Sequence, residues 1–175
     1  MKRHYYLVVA FQLLLLMVLI VSKQYTLWSG ETVVLKVPQQ VDPLSLFRGN
    51  YIILSYDISN LNLDAIGTDS KDFKRNDVVY VRLRRDGNYW TASEVSKKKP
   101  AALSIKGQID WANNENIGVV YGIENYFIEQ RKAAEIEGMI QEGRRKGEVT
   151  VEVKIDGNGN AVINRILLGG EPLDI

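Results

Sequence analysis

The sequence contains no cysteine and only one histidine, and both absences exclude familiar chemistry. Without a thiol there is no disulfide, no cysteine nucleophile and no thiolate-bound zinc or iron–sulfur cluster. The histidine, His4, precedes a long apolar segment, so the remainder of the chain has no imidazole. A Ser-His-Asp triad needs that imidazole, and common zinc hydrolase sites use two or three histidines. We therefore predict no catalytic residues, no metal site and no cofactor, although chemistry by carboxylates, Lys, Tyr or Ser stays open.

The chain also lacks an excess of positive charge. Its formal net charge is +1, from 22 basic and 21 acidic residues. Three of the basic residues, Lys2, Arg3 and Lys23, flank the apolar segment, which leaves 19 basic against 21 acidic residues from Gln24 onward, a net charge of −2. Nucleic-acid binding needs a basic surface that replaces the counterions of the phosphates. We therefore expect no nucleic-acid partner.

One long hydrophobic run is present near the N-terminus. The 17 residues from Tyr5 to Val21, YYLVVAFQLLLLMVLIV, carry no formal charge. As a helix they extend roughly 25 Å, which is within the usable range for a hydrocarbon core of about 30 Å. Basic residues flank the run on both sides and aromatic residues lie near its ends, a pattern typical of the two membrane interfaces.

We predict a membrane anchor over residues 1–23, with the transmembrane helix at about 5–21, and a single β-rich domain over residues 24–175. A cleaved signal peptide is the main alternative, but the stretch SKQYTLWSG offers no A-x-A pattern for cleavage. A buried core helix would be amphipathic, and this segment is apolar all round. The positive-inside rule places the N-terminus in the cytoplasm and the domain outside it, in a single-pass protein of the cytoplasmic (inner) membrane.

After the anchor, apolar alternation and turn residues predict about eight strands and one helix. Asp86-Gly87 lies between two β-rich runs and predicts a hairpin. The region 129–144 is rich in Ala, Glu, Lys and Arg and predicts an amphipathic helix that ends near Gly143 or Gly147. The fold class is α+β and mainly antiparallel β, as a curled sheet or partly open barrel. The predicted strands are 32–37, 51–58, 77–84, 88–95, 102–110, 117–123, 148–155 and 160–168.

The strand at 51–58 is preceded by a Gly-Asn turn, and the segment reads RGNYIILSY. It resembles the motif that names the GDYXXLXY family of bacterial membrane proteins. Gly49, Tyr51, Leu54 and Tyr56 match the motif, whereas Asn50 stands where the family has Asp. The resemblance extends over nearly the whole chain through the segments DPLSLFRG, YGIENYFIE and VEVKIDGNGNAVINRILL. It implies a membrane location, this architecture and a polytopic membrane protein as partner, and it implies no particular activity.

Two interpretations of the motif remain open. In the framework interpretation, Leu54 and Tyr56 lie on the core face of a strand, and the preceding glycine and asparagine form its entry turn. In the functional interpretation, Arg48, Tyr51 and Ser55 surround a binding site. The asparagine matters for this second interpretation, because an amide is neither a general base nor an anionic metal ligand.

A second segment, YGIENYFIEQR, supplies further candidate residues. Tyr121 and Glu124 are candidate binding residues together with Arg48. Glu124 and Glu129 are also close enough in sequence to suggest a pair of carboxylates for acid/base work. Helix capping and ion pairing with Arg131 form the structural alternative.

The segment DGNGN begins like a calcium-binding loop. Asp156, Asn158 and Asn160 have the spacing of its first three ligands. However, Ala161 stands at the position that needs glycine, and Leu167 at the position that needs a bidentate glutamate. The pattern therefore predicts a hairpin turn between two strands.

Three hypotheses about function follow from the sequence. The first is a membrane-tethered, non-enzymatic interaction or accessory domain that acts with another membrane protein. The second is a small-ligand or glycan-binding domain, suggested by Trp90, Trp111 and the tyrosines. The third is a hydrolase that uses carboxylates or a Ser/Lys pair. The tether and the missing histidine and cysteine favour the first.

Overall fold

The computed structural model describes residues 2–38, 47–48, 51–127 and 133–173. Predictions about Gly49, Asn50, Glu129 and Arg131 therefore lie outside the described residues. The described elements are, in chain order, α1 (Lys2–Ser29), β1 (Glu31–Lys36), β2 (Phe47–Arg48), β3 (Tyr51–Ile53), β4 (Asn60–Asn62), β5 (Gly67–Thr68), β6 (Val78–Asp86), β7 (Tyr89–Ser96), β8 (Ser104–Ala112), β9 (Asn116–Val120), β10 (Asn125–Phe127), α2 (Ala133–Lys146), β11 (Val149–Ile155), β12 (Ala161–Leu168) and β13 (Glu171–Pro172).

Helix α1 is longer than the predicted transmembrane segment, because it continues past Val21 to Ser29. The stretch Tyr6–Ser29 has a mean hydropathy of 2.3 and is long and apolar enough to cross a membrane, and no residue of its most apolar part is buried. Gly30 follows the last residue of the helix, and its N–H donates to the Thr26 carbonyl at 2.9 Å. A Cβ on Gly30 would lie 2.4 Å from that carbonyl oxygen, so only glycine fits where the helix turns directly into β1.

The strands form three sheets within the described residues, and all pairs except β5–β7 are antiparallel. A six-stranded sheet has the order β4-β9-β8-β6-β7-β5, a four-stranded sheet the order β1-β11-β12-β13, and a small sheet the order β10-β3-β2. Their inward faces share one apolar core, in which Val33, Ile105 and Val151 are each 0% exposed. Helix α2 adds Ile136 and Ile140 to this core, each 1% exposed. The predicted α+β class with a curled, mainly antiparallel sheet is confirmed.

Seven of these strands have five residues or more, and six have only two or three. The predicted strand at 51–58 is wrong after Ile53, because the chain bends into a 3₁₀ turn at Asp57–Ser59. The Ser59 hydroxyl oxygen accepts the Tyr56 N–H at 3.1 Å and stabilises this turn. The predicted inward face is nevertheless correct, since Leu54, Tyr56 and Ile58 are 1%, 1% and 2% exposed.

The predicted hairpin after β6 is confirmed, with its turn one residue later than Asp86-Gly87. Asp86 pairs with Tyr89, so Gly87 and Asn88 are the two loop residues. Gly87 has a φ of +60°, which fits the first central position of a type II′ turn. The helix predicted at 129–144 is described from Ala133 to Lys146.

Helix α2 ends at the second of its two candidate glycines. Gly147 has a φ of +71°, the left-handed geometry of a C-terminal cap. The N–H of Glu148 donates to the Gly143 carbonyl at 2.8 Å and completes that cap. Gly143 lies within the helix and packs closely against Leu168. The helix continues past it to Lys146.

Candidate functional site

The two segments identified in the sequence around the tyrosines lie side by side. Strand β3 of the RGNYIILSY motif pairs with β10 of YGIENYF, in the register Ile53 with Asn125 and Tyr51 with Phe127. Beyond the strand, the Leu54 N–H donates to the Glu124 carbonyl at 2.6 Å. The family-like motif and the second tyrosine segment therefore form one structural unit, although some 70 residues separate them in the chain.

Tyr56 and Tyr121 cross-link these two segments reciprocally. The Tyr56 hydroxyl donates to the Ile123 carbonyl, and the Tyr121 hydroxyl donates to the Ile58 carbonyl, both at 2.5 Å. Burial, and secondly the negative charge of Glu124, raise the pKa of both phenols above the ordinary value. Both hydroxyls therefore stay protonated and serve as donors to backbone carbonyls.

Glu124 stabilises the turn between the two tyrosine contacts. Its Oε1 atom accepts the Tyr121 N–H at 2.5 Å, across a turn in which Gly122 has a φ of +77°. Tyr121 and Glu124 therefore lie in one turn and are in contact through the Tyr121 backbone N–H, while the Tyr121 side chain is buried. Arg48 lies in β2, where its backbone pairs with Tyr51, and its side chain lies outside the described residues.

A shallow depression of about 170 Å³ lies beside this unit. Its most prominent side chain is Trp111, 43% exposed, whose indole covers Gly118 of the neighbouring strand so closely that a Cβ there would lie 2.1 Å from Nε1. Trp90, by contrast, packs partly buried against the core. The depression is smaller than the ~300–1,000 Å³ typical of small-molecule sites. Its polar lining comprises Ser55, Ser59, Asn60, Asp110, Trp111 and Glu124.

A second set of hydrogen bonds, which the sequence did not predict, joins α1 to the domain through Asp156. This residue is 8% exposed and begins the turn between β11 and β12, the hairpin predicted from DGNGN. Its Oδ1 accepts the backbone N–H groups of Asn158 and Asn160 at 2.8 and 3.0 Å. Its Oδ2 accepts the Asn160 side-chain amide and the Thr26 hydroxyl, both at 3.0 Å.

These four donors determine the charge state of Asp156. Burial acts to raise the pKa of its carboxyl, but the hydrogen bonds from Asn160, Asn158 and Thr26 outweigh burial and hold the pKa below the usual value. Thr26, at 2% exposed, is the buried contact point of the helix. Asp156 is therefore ionised, and its hydrogen bonds link the helix to the hairpin turn. Sequence reasoning missed this contact because Thr26 and Asp156 are 130 residues apart.

Comparison with known proteins identifies the family of the chain. No curated protein and no solved structure matches the chain. The family model described as GDYXXLXY protein matches residues 12–166, from within the apolar helix to the last long strand. On the strength of that match, which covers most of its length, the chain belongs to the GDYXXLXY family.

Proposed function

We propose that this protein is a membrane-tethered, non-enzymatic accessory domain that acts on another membrane protein. The observation that carries the proposal is the junction between α1 and the domain. Helix α1 ends at Ser29 and β1 begins at Glu31, so Gly30 is the only residue between them. The bond from Thr26 to Asp156 then fixes the last turn of the helix to the hairpin turn.

A junction this short favours a partner within the membrane. Gly- and Ser-rich linkers behave as flexible coils that let a tethered domain explore a large volume. A single glycine with a buried hydrogen bond beside it instead holds the domain at one height and one orientation above the bilayer. Such a domain meets surfaces that are presented at the same height, which belong to membrane proteins. The apolar side chains of α1 are exposed along its length and are free to pack on lipid or on a transmembrane helix of the partner.

Within the described residues, the candidate catalytic side chains make structural contacts, and this supports the non-enzymatic part of the proposal. The hydroxyls of Tyr56 and Tyr121 and the carboxylate of Glu124 are all bonded to backbone groups. The chain has no histidine after His4 and no cysteine. Proton transfer near pH 7 would then need a strongly perturbed carboxyl, lysine or tyrosine in a position to reach substrate.

The proposed setting is the cytoplasmic (inner) membrane, with the domain on its extracytoplasmic side. The N-terminal amine, Lys2 and Arg3 precede the apolar segment, and Lys23 and Lys36 follow it. The larger positive charge at the N-terminus supports an N-terminus in the cytoplasm.

The experiment is crosslinking in native membranes followed by purification of the tagged full-length chain. We expect one polytopic membrane protein to be enriched over an unrelated single-pass control. The matched variant carries six Gly/Ser residues inserted after Gly30, which keeps the anchor and the fold but frees the domain. Loss of that crosslink in the variant supports the proposal. Absence of any enriched membrane protein, or an unchanged crosslink in the variant, contradicts it.

Binding of a small ligand or glycan is a second candidate function, favoured by the exposed indole of Trp111. The face of an exposed tryptophan attracts cations, and its large apolar area is available to a sugar ring. A glycan array on the full-length chain in detergent, with Trp111→Ala as the matched variant, tests it. A signal that the variant loses supports this function, and equal signals or none contradict it.

A further inference from the structure

Two grooves meet at the place where α1 reaches the domain. The first has a volume of about 600 Å³ and lies between the helix and the turn after β11. The second has a volume of about 390 Å³ and continues onto the outer face of the six-stranded sheet. Lys23 and Asn160 line both grooves, so these two side chains mark the boundary between them.

The first groove changes from apolar to polar along its length. Met17, Val18 and Val21 of the apolar helix line one part of it, and their side chains belong to the stretch that is suited to hydrocarbon. Lys23, Asn158 and Asn160 line the other part. A ligand that fills this groove therefore needs an apolar chain joined to a polar group. A phospholipid has this order of groups.

The polar part of the grooves favours a negatively charged group. Lys23 and Lys106 both line the second groove, alongside Gln108 and Asn160, and no carboxylate is among its lining residues. The one carboxylate that lines the first groove is Asp156. Its two oxygens already accept four hydrogen bonds from neighbouring groups. Two ammonium groups, the Asn158 amide and the second N–H of the Asn160 amide, whose first N–H bonds to Asp156, are thus available to a phosphate, which each lysine attracts as a point charge.

The same face carries exposed apolar side chains. Val78, Gln108 and Val120 lie in one row across β6, β8 and β9. Val78 is 47% exposed and Val120 is 43% exposed. Lys23 is the first charged residue after the apolar segment, so it lies where the helix leaves the hydrocarbon. Valines beside it are suited to the boundary between headgroups and acyl chains.

We infer that this face binds an anionic phospholipid of the adjacent leaflet. Lys23 and Lys106 contact its phosphate, Asn158 and Asn160 donate to its oxygens, and one acyl chain lies along α1 beside Val21. The bound lipid fills the space between helix and domain, so it adds to the contact that Thr26 and Asp156 provide. The inference rests on α1 crossing the membrane, which carbonate extraction tests separately.

The test uses the full-length chain in nanodiscs of phosphatidylcholine with increasing phosphatidylglycerol, and native mass spectrometry counts the lipids that stay bound. We compare Lys23→Gln/Lys106→Gln with Lys74→Gln/Lys98→Gln, which removes the same charge from exposed lysines that line neither groove. A lysine near an anionic surface contributes about fivefold to binding, so the first variant should bind phosphatidylglycerol roughly 25-fold more weakly. The control variant should bind like the native chain.

Two outcomes would overturn the inference. One is equal retention of phosphatidylglycerol by both double variants, with circular dichroism unchanged. The other is saturable binding of inorganic phosphate at millimolar concentration by the native chain in nanodiscs of pure phosphatidylcholine. If Lys23→Gln/Lys106→Gln abolished that binding, the grooves would be assigned to a soluble anion. Because both variants keep the junction at Gly30, neither result bears on the crosslinking experiment for a protein partner.

Discussion

At the scale of single residues, two of the residues that match the family motif, Leu54 and Tyr56, make buried contacts. Leu54 is buried in the core, and its N–H bonds to the Glu124 carbonyl. Tyr56 reaches the Ile123 carbonyl through its hydroxyl. These contacts join two distant segments, and they support the framework interpretation of the motif. The conformations of Gly49 and Asn50 stay predictions.

Leu54→Ala is the sharpest test of that interpretation. The side chain is 1% exposed, so its truncation leaves a cavity and should lower the free energy of unfolding by about 2–5 kcal/mol. Val120→Ala is the control, because Val120 is 43% exposed and its truncation should change stability by less than about 0.5 kcal/mol. Denaturant unfolding of the full-length chain in detergent measures both. An unchanged midpoint for Leu54→Ala would place this residue outside the core.

At the scale of elements, two glycines show how neighbouring elements decide the effect of one methyl group. Gly107 of β8 lies under β9, where an added Cβ would lie 2.4 Å from Val119 Cγ1 and 2.9 Å from the Tyr121 ring. Gly138 lies on the exposed side of α2, with nothing within 4 Å of its Cβ position. The same substitution therefore has opposite consequences in the sheet and in the helix.

We expect Gly107→Ala to destabilise the domain by about 1–3 kcal/mol, because the sheet has no room for the methyl group. Gly138→Ala should stabilise it by about 0.5–1 kcal/mol, because alanine favours the helix and restricts the unfolded chain. Thermal unfolding followed by circular dichroism compares the two variants. If the midpoint of Gly107→Ala does not fall, the close packing of Tyr121 over β8 is incorrect, and if that of Gly138→Ala falls, the open space beside α2 is incorrect.

The link between α1 and the hairpin turn should respond to acid. Because the folded-state pKa of Asp156 is depressed, its stabilisation is complete above the unfolded-state pKa of about 3.9 and is lost as pH falls through the folded-state pKa. The free energy of unfolding should therefore decline below about pH 5. Asp156→Asn should make that decline shallower and should lower stability at pH 7 by about 1–3 kcal/mol.

Denaturant unfolding at intervals from pH 3 to pH 7 measures this slope for the native chain and for Asp156→Asn. Asp110→Asn is the matched control, because it removes a carboxylate whose side chain is 53% exposed and pairs with Arg75. Curves that run parallel for the native chain and Asp156→Asn would show that the hydrogen bonds at Asp156 do not depend on its charge.

At the scale of the whole molecule, Gly30 and the buried hydrogen bond from Thr26 to Asp156 join the apolar helix to the folded domain. The apolar stretch of the helix is suited to lipid, because most of the side chains described there are exposed. The domain has its own shared core, built from both large sheets and α2. The molecule therefore consists of a membrane-suited helix that leads directly into a β-rich body.

We expect the full-length chain to pellet with membranes, to resist carbonate extraction and to keep its N-terminal residues. A reporter that is active only outside the cytoplasm should be active when fused after Ile175, because the positive charge is greater before the apolar segment than after it. A fusion of a cytoplasm-only reporter at the same position is the matched control and should be inactive. Recovery of a soluble chain that begins near Tyr25 would contradict the anchor, and the opposite reporter pattern would reverse the topology.

The sequence by itself determined the features that depend on neighbouring residues. Periodicity predicted the long strands, the helix α2 and the inward face of Leu54, Tyr56 and Ile58, because each depends on which side chains a local conformation brings to one side. Composition predicted the apolar helix, because a long run without charge is itself a local feature of the sequence. The end of the strand at Ile53 escaped prediction, because the Ser59 hydroxyl competes there for a backbone N–H.

Only the tertiary structure decided which distant segments meet. The pairing of β3 with β10, the crossed hydroxyls of Tyr56 and Tyr121, and the bond from Thr26 to Asp156 join groups that are 63 to 130 residues apart. A polar side chain can donate to any of many acceptors along the chain. The sequence around that side chain does not show which acceptor it reaches in the folded protein. Packing of the whole core brings one acceptor within 3 Å and buries the pair, which makes that partner the stable one.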